Sequence, residues 1–96
     1  MAEYRLTPRA QRDLAEVFDY SVASWGLAQA VDYAELIAAA CTELAEAPLR
    51  APACDHVRPG YRRRGVGSHV IYFRPTDYGI AVIRILHQRM DAGRRL

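Results

Sequence analysis

A single glycine, Gly26, stands between two long helical patterns, and that junction limits what the chain can build. The first pattern opens at Thr7-Pro8, where threonine suits the N-cap and proline fits the first helical position. Ala10, Leu14, Val17, Phe18, Ser21, Val22 and Trp25 then recur at helical spacing. Arg9–Asp13 and Arg12–Glu16 form i,i+4 pairs expected on the outer face. Gly26 closes this helix in the conformation glycine adopts without strain. A second pattern runs from about Leu27 to Ala47, with Ala30, Tyr33, Ala34, Ile37, Ala40, Cys41 and Leu44 on its apolar stripe. Asp32, Glu35, Glu43 and Glu46 lie on or beside its exposed side, and Pro48 and Pro52 stop it. So short a connection predicts an antiparallel hairpin, and the many small residues allow a close approach. Trp25 is expected in the core at the hairpin corner, and Cys41 as a small core residue.

The rest of the chain reads as strands. Glu3 to Leu6 alternates polar and apolar residues. After a loop over 49–55, His56-Val57-Arg58 is a weak strand extending past Gly60 to Arg63. Ser68 to Arg74 is a strong one. Pro75-Thr76-Asp77-Tyr78-Gly79 has turn chemistry. Ile80 to Leu86 is so continuously apolar that it belongs in the middle of a sheet. The order β-α-α-β-β-β predicts an α+β fold, a helix hairpin packed on a small curled antiparallel sheet. On the last strand Ala81, Ile83 and Ile85 are expected toward the helices, and Val82, Arg84 and Leu86 away from them.

With 96 residues there is room for one domain, taken as residues 1–96, and one modest core. No apolar run approaches a membrane span, and no export signal opens the chain. A cytoplasmic location with reduced thiols at Cys41 and Cys54 is the expectation. Three scattered histidines, His56, His69 and His87, suggest no metal, and no cofactor motif is present. Charge is distributed unevenly. Residues 1–48 hold 3 arginines against 8 carboxylates, a balance of −5; residues 49–96 hold 10 against 3, a balance of +7. A basic half favours phosphate or an acidic protein partner.

The stretch Arg84-Ile85-Leu86-His87-Gln88-Arg89-Met90-Asp91 puts an imidazole, two guanidiniums and a carboxylate just behind an apolar run. Together with Arg58, Tyr61, Arg62, Arg63, Arg74, Arg94 and Arg95 these polar residues, Arg84, His87, Arg89 and Asp91, are the candidate contact residues for a target or inhibitor. Plainer roles stand beside that one. His87 can be a structural histidine bonded to Asp91 or Asp77. Arg84 and Asp91 can form an ion pair that ties the tail to the sheet. The basic run at 62–64 can be solvated, and Tyr61 and Tyr72 can be packing residues. Gly93-Arg94-Arg95-Leu96 reads as a free tail whose deletion leaves the melting temperature almost unchanged but removes a contact with a partner.

Several of these segments look familiar together. Thr7-Pro8-x-Ala10-x-x-Asp13-Leu14, Tyr20-Ser21, Trp25-Gly26, Gly60-Tyr61-Arg62-Arg63, Gly67 to Arg74 and Ile83 to Asp91 resemble ParE-type toxins of the RelE/ParE superfamily. The resemblance runs from residue 3 to about 91. It implies the toxin of a type II toxin–antitoxin pair, held inactive by a ParD-type antitoxin and inhibiting DNA gyrase by protein–protein contact. RelE relatives on the same fold cut messenger RNA on the ribosome. They place basic residues on the middle strands and a tyrosine or histidine near the C-terminus. Here only Ala92-Gly93-Arg94-Arg95-Leu96 follows Asp91. Arginine stabilises charge but shuttles protons poorly, so the non-enzymatic branch is favoured over a ribosome-dependent endoribonuclease. A basic nucleic-acid-binding module is a third reading, although no motif for sequence-specific DNA recognition is present.

Overall fold

The computed structural model describes residues 2–96. Strand β1 (Glu3–Leu6) leads into helix α1 (Pro8–Trp25), α2 (Leu27–Glu46), a 3-10 turn at Pro48–Arg50, β2 (Arg62–Val66), β3 (His69–Pro75), β4 (Gly79–His87) and a four-residue helix α3 (Ala92–Arg95). The hairpin forms as its sequence requires. Thr7 Oγ1 accepts the Ala10 amide at 3.1 Å, and Gly26, at φ 92°, both ends α1 and starts α2.

The strand order is β1-β4-β3-β2. β2, β3 and β4 are antiparallel neighbours, but β1 lies parallel to β4, from Glu3 opposite Gly79 to Leu6 opposite Val82. The sheet is therefore mixed, not antiparallel as expected. The hairpin is the reason: two antiparallel helices return the chain to the side on which it started, so the first strand reaches the last one travelling the same way.

A second departure lies within β4. Tyr72 faces Arg84 and Phe73 faces Val82, so Ile83 is an extra residue. This β-bulge reverses the alternation. Ile80, Val82 and Ile85 enter the core beneath the helices with Phe73, Ile71, Ile37 and Leu44, whereas Ile83 is only half-buried. A smaller cluster of Cys54, Tyr72 and Leu86 lies on the opposite face. Val57, Tyr61, Val70, Ala92 and Leu96 pack against it. The segment expected to begin a strand at His56 is instead a turn. Val57 and Arg58 donate to the Cys54 carbonyl, and pairing starts only at Arg62.

Trp25 is also misplaced by its sequence pattern. It is 57% exposed and stacks edge-on against Tyr20, centroids 6.1 Å apart. No helix among the described residues is long and apolar enough to cross a membrane.

Candidate functional site

β4 outruns β1 by five residues, Ile83 to His87, and among the described residues its edge there has no strand beside it. Side chains of α1 and its cap take the strand's place. Thr7 Oγ1 donates to the Ile83 carbonyl at 2.9 Å. The Asp13 carboxylate accepts the Ile85 amide at 3.0 Å. The same carboxylate holds Arg84 in a two-pronged pair, with Nε donating to Oδ2 at 2.7 Å and Nη2 to Oδ1 at 2.9 Å. Both side chains are nearly buried, 12% and 10% exposed. Hydrogen bonding to Asp13 raises the Arg84 pKa above its ordinary value despite burial, so the guanidinium stays charged. Arg84 Nη1 also donates to the Arg95 carbonyl at 2.9 Å.

Between this edge and α1 lies a groove of about 520 Å³, lined by Val17, Tyr20, Ile85, Leu86 and Met90, with Glu16, His69, His87 and Arg95 among its polar residues. Because of the bulge, His69 on β3 faces His87 on β4, their ring centroids 5.4 Å apart. His69 Nδ1 lies 2.7 Å from the Tyr33 hydroxyl, which also receives the Ser68 amide. Burial, and then the neighbouring His87, lower the His69 pKa below 6.5. His87 Nδ1 accepts the Arg89 amide at 3.1 Å.

The groove thus gathers Arg84, His87 and Arg95, with Arg89 tied in through its backbone. Asp91 takes another role from those expected. It caps α3 by accepting the Gly93 amide at 3.0 Å and faces Arg94 at 3.6 Å, leaving Arg84 to Asp13. The C-terminal residues are not a free tail, because they carry α3 and the packing of Leu96. Arg62 donates to the Ala51 carbonyl at 2.6 Å, and Tyr61 packs in the smaller cluster. Arg58, Arg63 and Arg74 are exposed and lie outside the groove's lining. Sequence reasoning missed Asp13, Tyr20, Tyr33, His69 and Met90. Asp13 carried a weak signal, since a buried arginine on β4 required a carboxylate somewhere.

A larger groove, about 630 Å³, opens between α2 and the 3-10 turn. Its charged pair Arg64–Glu43, 3.0 Å apart, ties β2 to α2. It has no imidazole, thiol or exposed aromatic ring in its lining, so we favour the α1–β4 groove. Cys41 is no nucleophile either, as burial, partly offset by Arg64, pushes its thiol pKa up to about 11.

Residues 4–92 match the family model described as the ParE toxin of the type II toxin–antitoxin system parDE. Toxin ParE1 of Mycobacterium tuberculosis is 43% identical over 96 residues, covering 99% of this chain and 98% of the relative. Toxin ParE1 of Caulobacter vibrioides is 41% identical over 92 residues, covering 96% and 95%. Among solved structures, a chain of the chromosomal ParDE system from P. aeruginosa superposes with a TM-score of 0.77 at 21% identity, covering 91% of this chain and 96% of that one. A chain of the RelBE2 toxin–antitoxin complex from Mycobacterium tuberculosis gives 0.57 at 24% identity, covering 91% and 98%.

Proposed function

Because the chain belongs to the ParE toxin family of type II toxin–antitoxin systems, we infer that it acts in the cytoplasm, inhibits DNA gyrase by protein–protein contact, and is neutralised by a ParD-type antitoxin. The observation that supports contact over turnover is the state of Arg84. RNA cleavage through a 2′-hydroxyl needs a mobile proton donor and acceptor and a cation free to meet the phosphate. Arg84 lines the groove, and Asp13 and the Arg95 carbonyl take three of its five N–H groups. His87 has one ring nitrogen occupied by a backbone amide, and His69 has one occupied by Tyr33.

What the groove offers is apolar. Tyr20 and Met90 are 67% and 43% exposed at its rim. A bulky, rigid aromatic beside a flexible thioether is the chemistry of a protein-binding surface. Arg84 and Arg95 in its lining add positive charge, which suits an acidic amphipathic antitoxin segment that folds on binding.

The test is a purified gyrase supercoiling assay run beside translating ribosomes. The chain is expected to block supercoiling and to leave messenger RNA intact, and the antitoxin to restore supercoiling. Codon-specific cuts, lost in His87→Ala with the fold preserved, would replace this reading by the ribonuclease.

A further inference from the structure

The two layers of the fold carry opposite charge. The α1–α2 layer, residues 8–46, holds two arginines against seven carboxylates, while residues 49–96, which supply β2, β3, β4 and α3, hold ten against three. Part of that positive charge is arranged on the face of the sheet turned away from α1 and α2. Arg5 on β1 and Arg74 on β3 both stand opposite Ala81 of β4, so one row crosses three strands with only a methyl group between two guanidinium stems. Arg63 on β2 faces Tyr72, one diagonal step from Arg74. At ordinary strand spacing Arg63 and Arg74 root roughly 7–8 Å apart and Arg74 and Arg5 about 10 Å apart, so the row spans roughly 15 Å from Arg5 to Arg63. All three side chains are exposed. Arg5 lies 4.0 Å over the Tyr78 ring and forms an ion pair with Glu3, which a phosphate would have to displace. Arg63 and Arg74 have no carboxylate in salt-bridge range among the described residues.

The chemistry of this face narrows its partner. A protein partner needs apolar anchors in desolvated pockets. Among the described residues the large exposed apolar side chains sit on α1, α2, the 3-10 turn and the turn after β4, and none is on a strand. The apolar part of this face is already covered by the loop through Val57 and Tyr61 and by α3. An unpaired nucleic-acid strand would want open aromatic rings to stack on. Tyr61 and Tyr72 are committed to packing, and Tyr78 lies beneath Arg5. What remains is an array of exposed arginines rooted on the sheet, with neither anchors nor stacking platforms. It matches a stiff polyanion whose charges lie on the outside.

We propose that the face of the sheet turned away from α1 and α2 binds the phosphate backbone of double-stranded DNA through Arg5, Arg63 and Arg74, without reading bases. The assignment goes beyond the antitoxin and target contacts inferred above and rests on neither. Guanidinium groups pair phosphate oxygens in two-pronged fashion, which favours arginine for this task. Three neutralised phosphates correspond to a slope of about −2.7 in log K against log salt, or a roughly 40-fold loss of affinity between ~50 and ~200 mM.

The experiment is fluorescence anisotropy of the full chain with a labelled duplex of about 20 base pairs across that salt range, in several sequences. Weak binding is expected, at ~10⁻⁴–10⁻⁶ M, with that slope and no sequence preference. Arg63→Ala with Arg74→Ala should reduce the slope by about 2; Arg63→Gln with Arg74→Gln repeats the test should the alanine pair melt early. Arg9→Ala with Arg12→Ala, on α1, should change nothing. The proposal is overturned by no binding at the lowest salt, by indifference to the Arg63/Arg74 changes, or by tighter binding to a single strand or a poly-glutamate peptide.

Discussion

Removing the Asp13 carboxylate would strand two donors at once, the Arg84 guanidinium and the Ile85 amide. Breaking a buried pair from one side costs about 3–5 kcal/mol, much of it the desolvated charge left behind. Asp13→Ala should lower the unfolding free energy by that order in urea melts. A cycle with Arg84→Met should return a coupling energy above ~1 kcal/mol. Independent losses that simply add would show that the pair is incidental. His69 makes a pH prediction. Its folded-state pKa lies below the ordinary 6.5, so the folded protein takes up that proton less readily than the unfolded chain. Its stability contribution is therefore full above about pH 6.5 and falls as the pH drops through that value toward the lower folded-state pKa. His69→Gln should show a smaller drop in melting temperature between ~pH 7.5 and ~5.5 than the parent. Equal drops would remove His69 from the acid response.

At the scale of elements, α3 is the part whose importance differs most from its sequence impression. Gly93-Arg94-Arg95-Leu96 reads as a tail, yet Leu96 and Ala92 close the cluster of Cys54, Tyr72 and Leu86. Burying one leucine contributes about 1.5–3 kcal/mol. Deleting residues 92–96 should lower the melting temperature by roughly 10 °C in a domain of this size. An unchanged midpoint would mean that α3 is ornamental. Gly79→Ala tests the opposite end of β4. A Cβ there would run into the Glu3 backbone, and φ is 141°. The substitution should detach β1 and expose the amides of 79–82 to hydrogen exchange. The helices were legible because their caps and spacing are local. The parallel β1–β4 pairing was not, since it depends on how far the hairpin returns the chain. The imidazole pair was hidden by the bulge. Register counted outward from Pro75–Ile80 puts His69 opposite Leu86, and only the extra Ile83 brings it to His87.

For the whole molecule, the charge division visible in sequence becomes a division between layers, because the acidic half supplies the helices and the basic half supplies most of the sheet. The site itself was half legible. Arg84 and His87 were found from the terminal motif, while the α1 wall of the groove could not be, as nothing local in Asp13, Val17 or Tyr20 announces which strand they meet. Binding of an antitoxin segment to that groove should bury well over ~1,000 Å². Calorimetry should then show a negative heat-capacity change. Mixing that yields no heat and no heat-capacity change would rule out this partner.

The parallel pairing of β1 with β4 also sets an order in time. The first strand made can join the sheet only beside the last one, and β4 is the strand that β3 needs as well. Any chain still being synthesised and ending before residue 79 therefore has a helix hairpin but lacks its central strand. Pairings this distant in sequence close slowly, since the intervening chain must be ordered first. The groove, lined by Arg84 to His87, Met90 and Arg95, therefore does not exist until the final residues are in place. Chains stalled at residue 78 should give helical circular dichroism with no protected sheet amides, and release of the remaining residues should complete the fold in one step.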